Sequence, residues 1–364
     1  SHQRAAAESR KVYEFTRDPN ERAHFGLIIA KSLALTGNPK EAIKLLEECK
    51  SALNENDDRH QTFHQLSRIR GNIEKYKRLD VETFDFAEHI ADVRDATERT
   101  RLYLETNDAW GQSLPDDDDL KRLRIFYAHG LRDLASLTYL HGKYDEARSL
   151  YVDAKKHYWG VYPQEICHCE LGLIECDTMI RRSNGSQALQ DVLEIVAKAR
   201  LRKWSLLEFW AMRRAIILGY QNPDPLWATR NVPKGDATYR HAEADVLHTI
   251  RCIKCADWHG AKSMIPRLVE IWQGGIINNF RRYGLLKGFA VLCIAEVARL
   301  TNSSITIHTS NRDAPYIYRQ AMTFFQNSQV NWGMARCLCG YELTGQSDFA
   351  LNPKNGQRIA FQKS

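Results

Sequence analysis

The sequence predicts an all-α chain of stacked helical hairpins. Three observations carry this. Apolar residues recur at helical spacing almost everywhere, convincing two-residue alternation is nearly absent, and proline is scarce at 10 of 364 residues. With 43% hydrophobic residues, plentiful aromatics and no low-complexity tract, the chain can bury a sizeable core and is not disordered.

The elements justify this in order. "KEAIKLLEECKSAL" places Ala42, Ile43, Leu46 and Cys49 on one side of a helix. Residues from Arg59 to Leu104 read as helical without belonging to a clear pattern. "LRDLASLTYLHGKYDEARSLYVDAKKHY" reads as a helix, a turn at His141-Gly142-Lys143 and a second helix. Gly142 suits the left-handed position that ends the first. "ALQDVLEIVAKAR" and "AMRRAIILGY" repeat the helical period. "TNDAWGQSLPDDDDLK" (Thr106 to Lys121) and the three-proline "YQNPDPLWATRNVPKGD" (Tyr220 to Asp236) separate blocks. "TNSSITIHTSNRDAP" (Thr301 to Pro315) reads as a polar, flexible loop. The expected organisation is helical repeats over 1–105, a linker over 106–119, central repeats over 120–220, a linker over 221–238, C-terminal repeats over 239–345 and an irregular tail over 346–364. The acidic run Asp116 to Asp119 follows Pro115 and opens a helix, where carboxylates cap free amides, and a metal role is the minor reading.

Two copies of one pattern stand out in "LALTGNPKEAIKLLEECKSAL" and "LTYLHGKYDEARSLYVDAKKHY". Gly37 and Ala42 match Gly142 and Ala147 at the same spacing. "GKYDEARSLYVDA" resembles the second helix of the tetratricopeptide repeat, with Gly142, Tyr144, Ala147, Tyr151 and Ala154 in the family's places. Weaker copies align on Ala188 and on Ala261, where Trp258 takes the place of Tyr144. "APYIYRQAMTFFQNSQ" reads as another second helix. The family's large first-helix aromatic is replaced by Gly26, Leu131, Gly172 and Asp245. The resemblance covers about half the chain and implies a right-handed superhelical solenoid. Degenerate repeats of this style are similar to those in sensor arms of bacterial signalling ATPases and in peptide-responsive regulators.

The resemblance also implies a concave groove lined by fixed first-helix positions. Counted from Ala128 these are His129, Arg132, Ser136, Tyr139 and Leu140. Counted from Cys169 they are Glu170, Leu173, Asp177, Ile180 and Arg181. Counted from Ala242 they are Glu243, Val246, Ile250, Ile253 and Lys254. The candidate partner-binding side chains are therefore His129, Arg132, Tyr139, Glu170, Asp177, Arg181, Glu243 and Lys254. The family's Lys/Asn/Arg clamp for peptide carboxylates is not reproduced.

"LHTIRCIKCADWH" gathers His248, Cys252, Cys255 and His259. On a helix ending at a His259-Gly260 turn, His248 to Cys255 spans about 10 Å, too far for one zinc ion with bonds of about 2 Å. The reading is therefore core packing, with no metal and no cofactor expected. Nine cysteines without regular spacing suggest free thiols in a reducing, cytoplasmic setting. No signal peptide is seen, and the apolar run near Phe289 to Ile294 is too short to cross a bilayer, so no membrane partner is expected. Ser1 in place of an initiator methionine suggests a piece of a longer protein.

The net charge of +6, from 51 basic and 45 acidic residues, is mild and spread. Three clusters interleave cations with rings: "KRLRIFY", "RLRKWSLLEFWAMRR" and "FRRYGLLK". Arg122, Arg124, Arg200, Arg202, Lys203, Arg213, Arg214, Arg281 and Arg282 are the contacts they would offer a nucleic-acid strand. The favoured reading of these clusters is rings in the core with cations reaching to solvent. Phosphate-loop, dinucleotide, zinc-protease and hydrolase motifs are absent, so no enzyme is expected. The reading adopted is a non-catalytic recognition module for a protein or peptide, as adaptor or sensor arm. A nucleic-acid-binding helical repeat is the alternative.

Overall fold

The computed structural model describes residues 2–35, 39–52, 86–106, 118–158, 162–221, 237–273, 284–307, 310–327 and 330–345. The first block holds α1 (His2–Phe15), α2 (Pro19–Leu35), α3 (Pro39–Ala52) and α4 (Phe86–Thr106). The central block holds α5 (Asp118–Leu140), α6 (Tyr144–Tyr158), α7 (Pro163–Met179), α8 (Gly185–Leu201) and α9 (Ser205–Leu218). Then come α10 (Ala237–Lys254), α11 (Trp258–Ser263), α12 (Ile265–Gln273) and α13 (Gly284–Leu300). A hairpin of β1 (Ile305–Ile307) and β2 (Ser310–Arg312) leads to α14 (Ala314–Asn327) and α15 (Asn331–Glu342). The fold class is all-α, as the helical spacing predicts.

One turn design recurs. Gly142 sits at φ 87°, its amide bonded to the carbonyl of Tyr139 and the next amide, Lys143, bonded back to Thr138. This pair of bonds satisfies the carbonyls a helix end leaves open. The same pair closes the helices before Arg181, Lys203, Gly219, Ala256 and Asn302, all at positive φ. Four of those five are not glycine, so the geometry is held by the hydrogen bonds against a local steric cost.

Helix starts are equally explicit. Asn184 accepts from the Gln187 amide at 2.7 Å to open α8, and Asp257 accepts from the Gly260 amide at 2.8 Å to open α11. Asp313 accepts from the Tyr316 amide at 3.0 Å at the start of α14, and Pro163 occupies the first turn of α7. These are the side chains that cap orphan amides. The expected turn at His259-Gly260 is thus placed earlier, at Cys255 to Asp257, and His259 lies inside α11. The expected flexible loop from Thr301 contains the β-hairpin, Ile305 paired with Arg312 and Ile307 with Ser310. Ile305 and Ile307, two residues apart, both point into the core and fix it there. Gly37, the acidic residues 116–117 and the tail over 346–364 lie outside the described residues, as does most of each proposed linker.

The four alanines that align the repeats, Ala42, Ala147, Ala188 and Ala261, are each at most 1% exposed. The aligned positions are therefore all enclosed by protein. Gly172 explains one missing first-helix aromatic: a Cβ there would stand 2.4 Å from the ring of Tyr151, which occupies the space. Gly340 receives the ring of Tyr318 in the same way, at 2.4 Å.

Helices in the middle of the chain feed two cores each. α7 gives Cys169 and Cys176 to the cluster around Tyr151 and Tyr158, and Cys167 and Leu171 to the cluster around Phe209 and Met212. α10 gives Leu247 to the latter and Val246 to the large cluster of α12 to α15. Among the principal contacts, α5, α7, α9, α10, α13 and α15 touch one another in that order. Among these principal contacts α6, α8 and α14 pack against members of this row, and α6 also reaches α4 through Arg94 and Glu146, 2.6 Å apart.

Candidate functional site

The row of helices from α5 to α15 carries most of the polar side chains that are enclosed by protein. On α5, His129, Arg132, Ser136 and Tyr139 fall three or four residues apart and share a face, with Asp133 beside Arg132. Arg132 is 7% exposed and bridges helices: its guanidinium donates to Asp133 at 2.8 Å and to Glu165 on α7. Burial opposes its charge, but Asp133, Tyr158 and Glu165 hold its pKa above the usual arginine value. Burial likewise pushes the Glu165 carboxyl up, yet the imidazole of His168, 3.7 Å away, and the charge of Arg132 outweigh it and hold the group well below the carboxylate range. His168 stacks on Trp210 of α9, with ring centres 4.3 Å apart and 26° between planes. Tyr158 Oη and His129 Nδ1 lie 2.6 Å apart. One chain of polar contacts thus joins α5, α7 and α9.

The remaining predicted groove residues divide in two. Glu170 pairs with Lys155 at 2.8 Å, Asp177 with Arg148 at 2.7 Å and Glu243 with Arg213 at 3.1 Å. Each pair ties one helix to its neighbour. Tyr139 is half-buried beside Tyr144, 5.3 Å between centres, and burial raises its pKa well above 10. Arg181 is exposed at the turn before α8, and Lys254 is exposed at the end of α10. Leu173 borders a cavity of about 390 Å³ between α6 and α7, with Val152, Lys155, Lys156 and Ile166. Glu165, His168, Glu175 and Trp210 were not singled out for the groove by the repeat register. The spacing Glu165-x-x-His168 just after Pro163 is the signal for the first two, and Trp210 stands in the quoted cluster RLRKWSLLEFWAMRR.

The basic–aromatic clusters are split up by the fold. Arg122, Arg200, Arg202 and Lys203 are exposed, whereas Arg124 and Arg214 are buried. Arg200 pairs with Glu208 at 2.9 Å, and Arg213 is held by Glu243. The rings Tyr127 and Phe209 belong to the hydrophobic core. Arg281 and Arg282 lie outside the described residues.

Among the cysteines and histidines, Cys252 is 2% exposed and packs with Ala261 and Val297, and its Sγ is 3.6 Å from His248 Nε2. Burial raises its thiol pKa and lowers that of the His248 imidazole. Cys255 and His259 face solvent. Among the described residues, no three His, Cys, Asp or Glu side chains converge as a cation would require. No protein-family model and no curated protein matches the chain.

Proposed function

We propose that the protein is a non-catalytic recognition module. In this reading the row from α5 to α15 forms the concave face of a right-handed, tetratricopeptide-like solenoid, and a protein or peptide partner lies along it. The single observation that supports it best is the order of contacts, in which α5, α7, α9, α10, α13 and α15 meet in turn while α6, α8 and α14 pack chiefly against that row. The coincidence of four repeat alanines with four enclosed positions adds to it. The side chains facing the partner would be His168, Trp210, Arg181 and Lys254, carried on a scaffold locked by the inter-helix ion pairs. The module would act in the cytoplasm as an adaptor, or as the sensor arm of a larger signalling protein. No helix among the described residues is long and apolar enough to cross a membrane.

The test is capture from the source lysate, with and without nuclease, using the wild type and the Trp210→Ala and Lys254→Glu variants. The expected outcome is one dominant protein that survives nuclease and is lost with either substitution. The alternative, nucleic-acid binding, draws on the exposed Arg122, Arg200, Arg202 and Lys203. Nucleic acid in the captured fraction, with an affinity falling steeply as salt rises, would replace the first reading by the second.

A further inference from the structure

Among the described residues, Asn184 alone is followed by a glycine. The pair stands at the turn between α7 and α8, with Asn184, Gly185, Ser186 and Gln187 all exposed. The Asn184 Oδ1 accepts from the Gln187 amide at 2.7 Å, which pins the side chain across the first turn of α8. Its main chain is extended, at φ −77° and ψ 152°. The nitrogen of Gly185, next to it, is one of the four amides for which a helix has no internal acceptor. A Cβ added at Gly185 would meet nothing within 4 Å, so that residue is not crowded from outside the turn. An amide carbon and a backbone nitrogen of this kind are neighbours in the chain, and only the cap bond and the extended backbone keep them from reacting.

We propose that Asn184 is a modification site, at which a spontaneous deamidation is restrained but not prevented by the cap of α8. The Gly185 nitrogen attacks Cγ of Asn184. A bond forms between them, the bond from Cγ to Nδ2 breaks, and ammonia leaves with the proton that Gly185 gives up. A solvent water then opens the five-membered ring. Opening at Cγ restores the original main chain and leaves aspartate. Opening at the main-chain carbonyl leaves isoaspartate, with the chain continuing through Cβ and Cγ. Ring closure requires Asn184 to leave its extended conformation and release the Gln187 amide. The reaction therefore runs through the molecules in which the start of α8 has opened. The two products act oppositely on that helix. Aspartate keeps an acceptor for the Gln187 amide and adds a negative charge at the positive end of α8. Isoaspartate lengthens the main chain where the Asn184 carbonyl accepts from the Ala188 amide at 3.0 Å, and the cap is lost. Ala188 and Val192, just beyond, are fully enclosed, so a loosened turn reaches the core. The inference rests on this turn and does not depend on the groove reading.

The experiment is tryptic mapping of the full chain after incubation at neutral and at mildly alkaline pH, both native and unfolded in guanidinium chloride. The reporter is the peptide Ser183–Lys198, in which Asn184 is the sole asparagine. Its deamidated forms carry an acid in place of an amide, and enzymatic methylation of isoaspartate separates the two products. The variants are Gly185→Ala, at a position with room for a methyl group, and Gln187→Pro, which removes the amide that Oδ1 holds. Asn184 is expected to convert about tenfold more slowly in the native chain than in the unfolded one, to both products, and faster as pH rises. Gly185→Ala slows conversion at least tenfold in either state. Gln187→Pro speeds the native reaction at least threefold and leaves the unfolded rate unchanged. Native Asn184 still intact after about a hundred unfolded half-lives would overturn the site. Equal native and unfolded rates, or a native rate untouched by Gln187→Pro, would overturn the restraint by the cap. A wild-type rate in Gly185→Ala would overturn attack by the Gly185 nitrogen.

Discussion

His157 shows how a single enclosed side chain links the fold to pH. Its ring meets Tyr127 edge-on, 5.0 Å between centres, near the C-terminal end of α6. Burial, and then the charge of Arg124, lowers its pKa to about 4. In the unfolded chain it takes a proton near the ordinary 6.5. Between those values the unfolded state binds more protons than the folded one, so stability rises with pH across the interval. The contribution is complete above pH 6.5 and lost as pH falls to about 4. The thermal midpoint is expected to drop across that window, and His157→Gln flattens the curve there. Glu165 behaves in the same direction at lower pH, because Arg132 and His168 keep it ionised in the folded chain. His157 follows Lys155 and Lys156 at the end of a helix, and nothing in the sequence puts it against Tyr127; Glu165 has only its spacing to His168 as a signal.

At the scale of elements, the turn geometry is the strongest determinant. Gly142 adopts the left-handed conformation at no steric cost, whereas Ala256 adopts the same conformation with a Cβ. Gly142→Ala is expected to destabilise by about 1 kcal/mol. Ala256→Gly is expected to stabilise by about 0.5 kcal/mol once the entropic cost of glycine is subtracted. Paired denaturant titrations with unchanged m-values would establish both, and equal effects of the two would refute the common turn. Helices and their enclosed alanines could be read in advance because apolar periodicity is local. The turn at Ala256 could not, since alanine gives no signal of positive φ, and the register there was misplaced toward Gly260. The hairpin after α13 was missed because three-residue strands leave one alternation, Ile305 and Ile307, inside a polar stretch. The candidate groove residues gain partners that the sequence does not show. Glu170, Asp177 and Glu243 were placed on the correct helices, but each is held by a cation from a neighbouring helix, which single-sequence spacing does not reveal.

Among the described residues, the most extensive contacts join helices close in sequence. Such a chain gains stability from successive interfaces and can open in parts. α1 to α3 pack around Leu27, Ala30, Ala42, Leu46 and Cys49 in clusters of their own, and among the described residues they share no hydrophobic cluster with α4 to α15. The central helices, with each of α7 and α10 committed to two cores, are tied together more extensively. α1 to α3 are expected to open first.

The distribution of thiols turns this arrangement into a clock. All nine cysteines are free, and only Cys255 and Cys339 are exposed. The other seven are distributed over separate cores: Cys49 with α1 to α3, Cys169 and Cys176 around Tyr151, Cys167 around Phe209, Cys252 with Ala261, and Cys293 and Cys337 in the C-terminal cluster. A thiol reagent applied to the native protein should modify two sites at once and the rest only as their surroundings part. Peptide mapping of the modified chain over time then dates the opening of each region, with Cys49 ahead of Cys169 and Cys176. The native sequence already carries a reporter in nearly every hydrophobic cluster, and no engineered label is required to follow how the helices part.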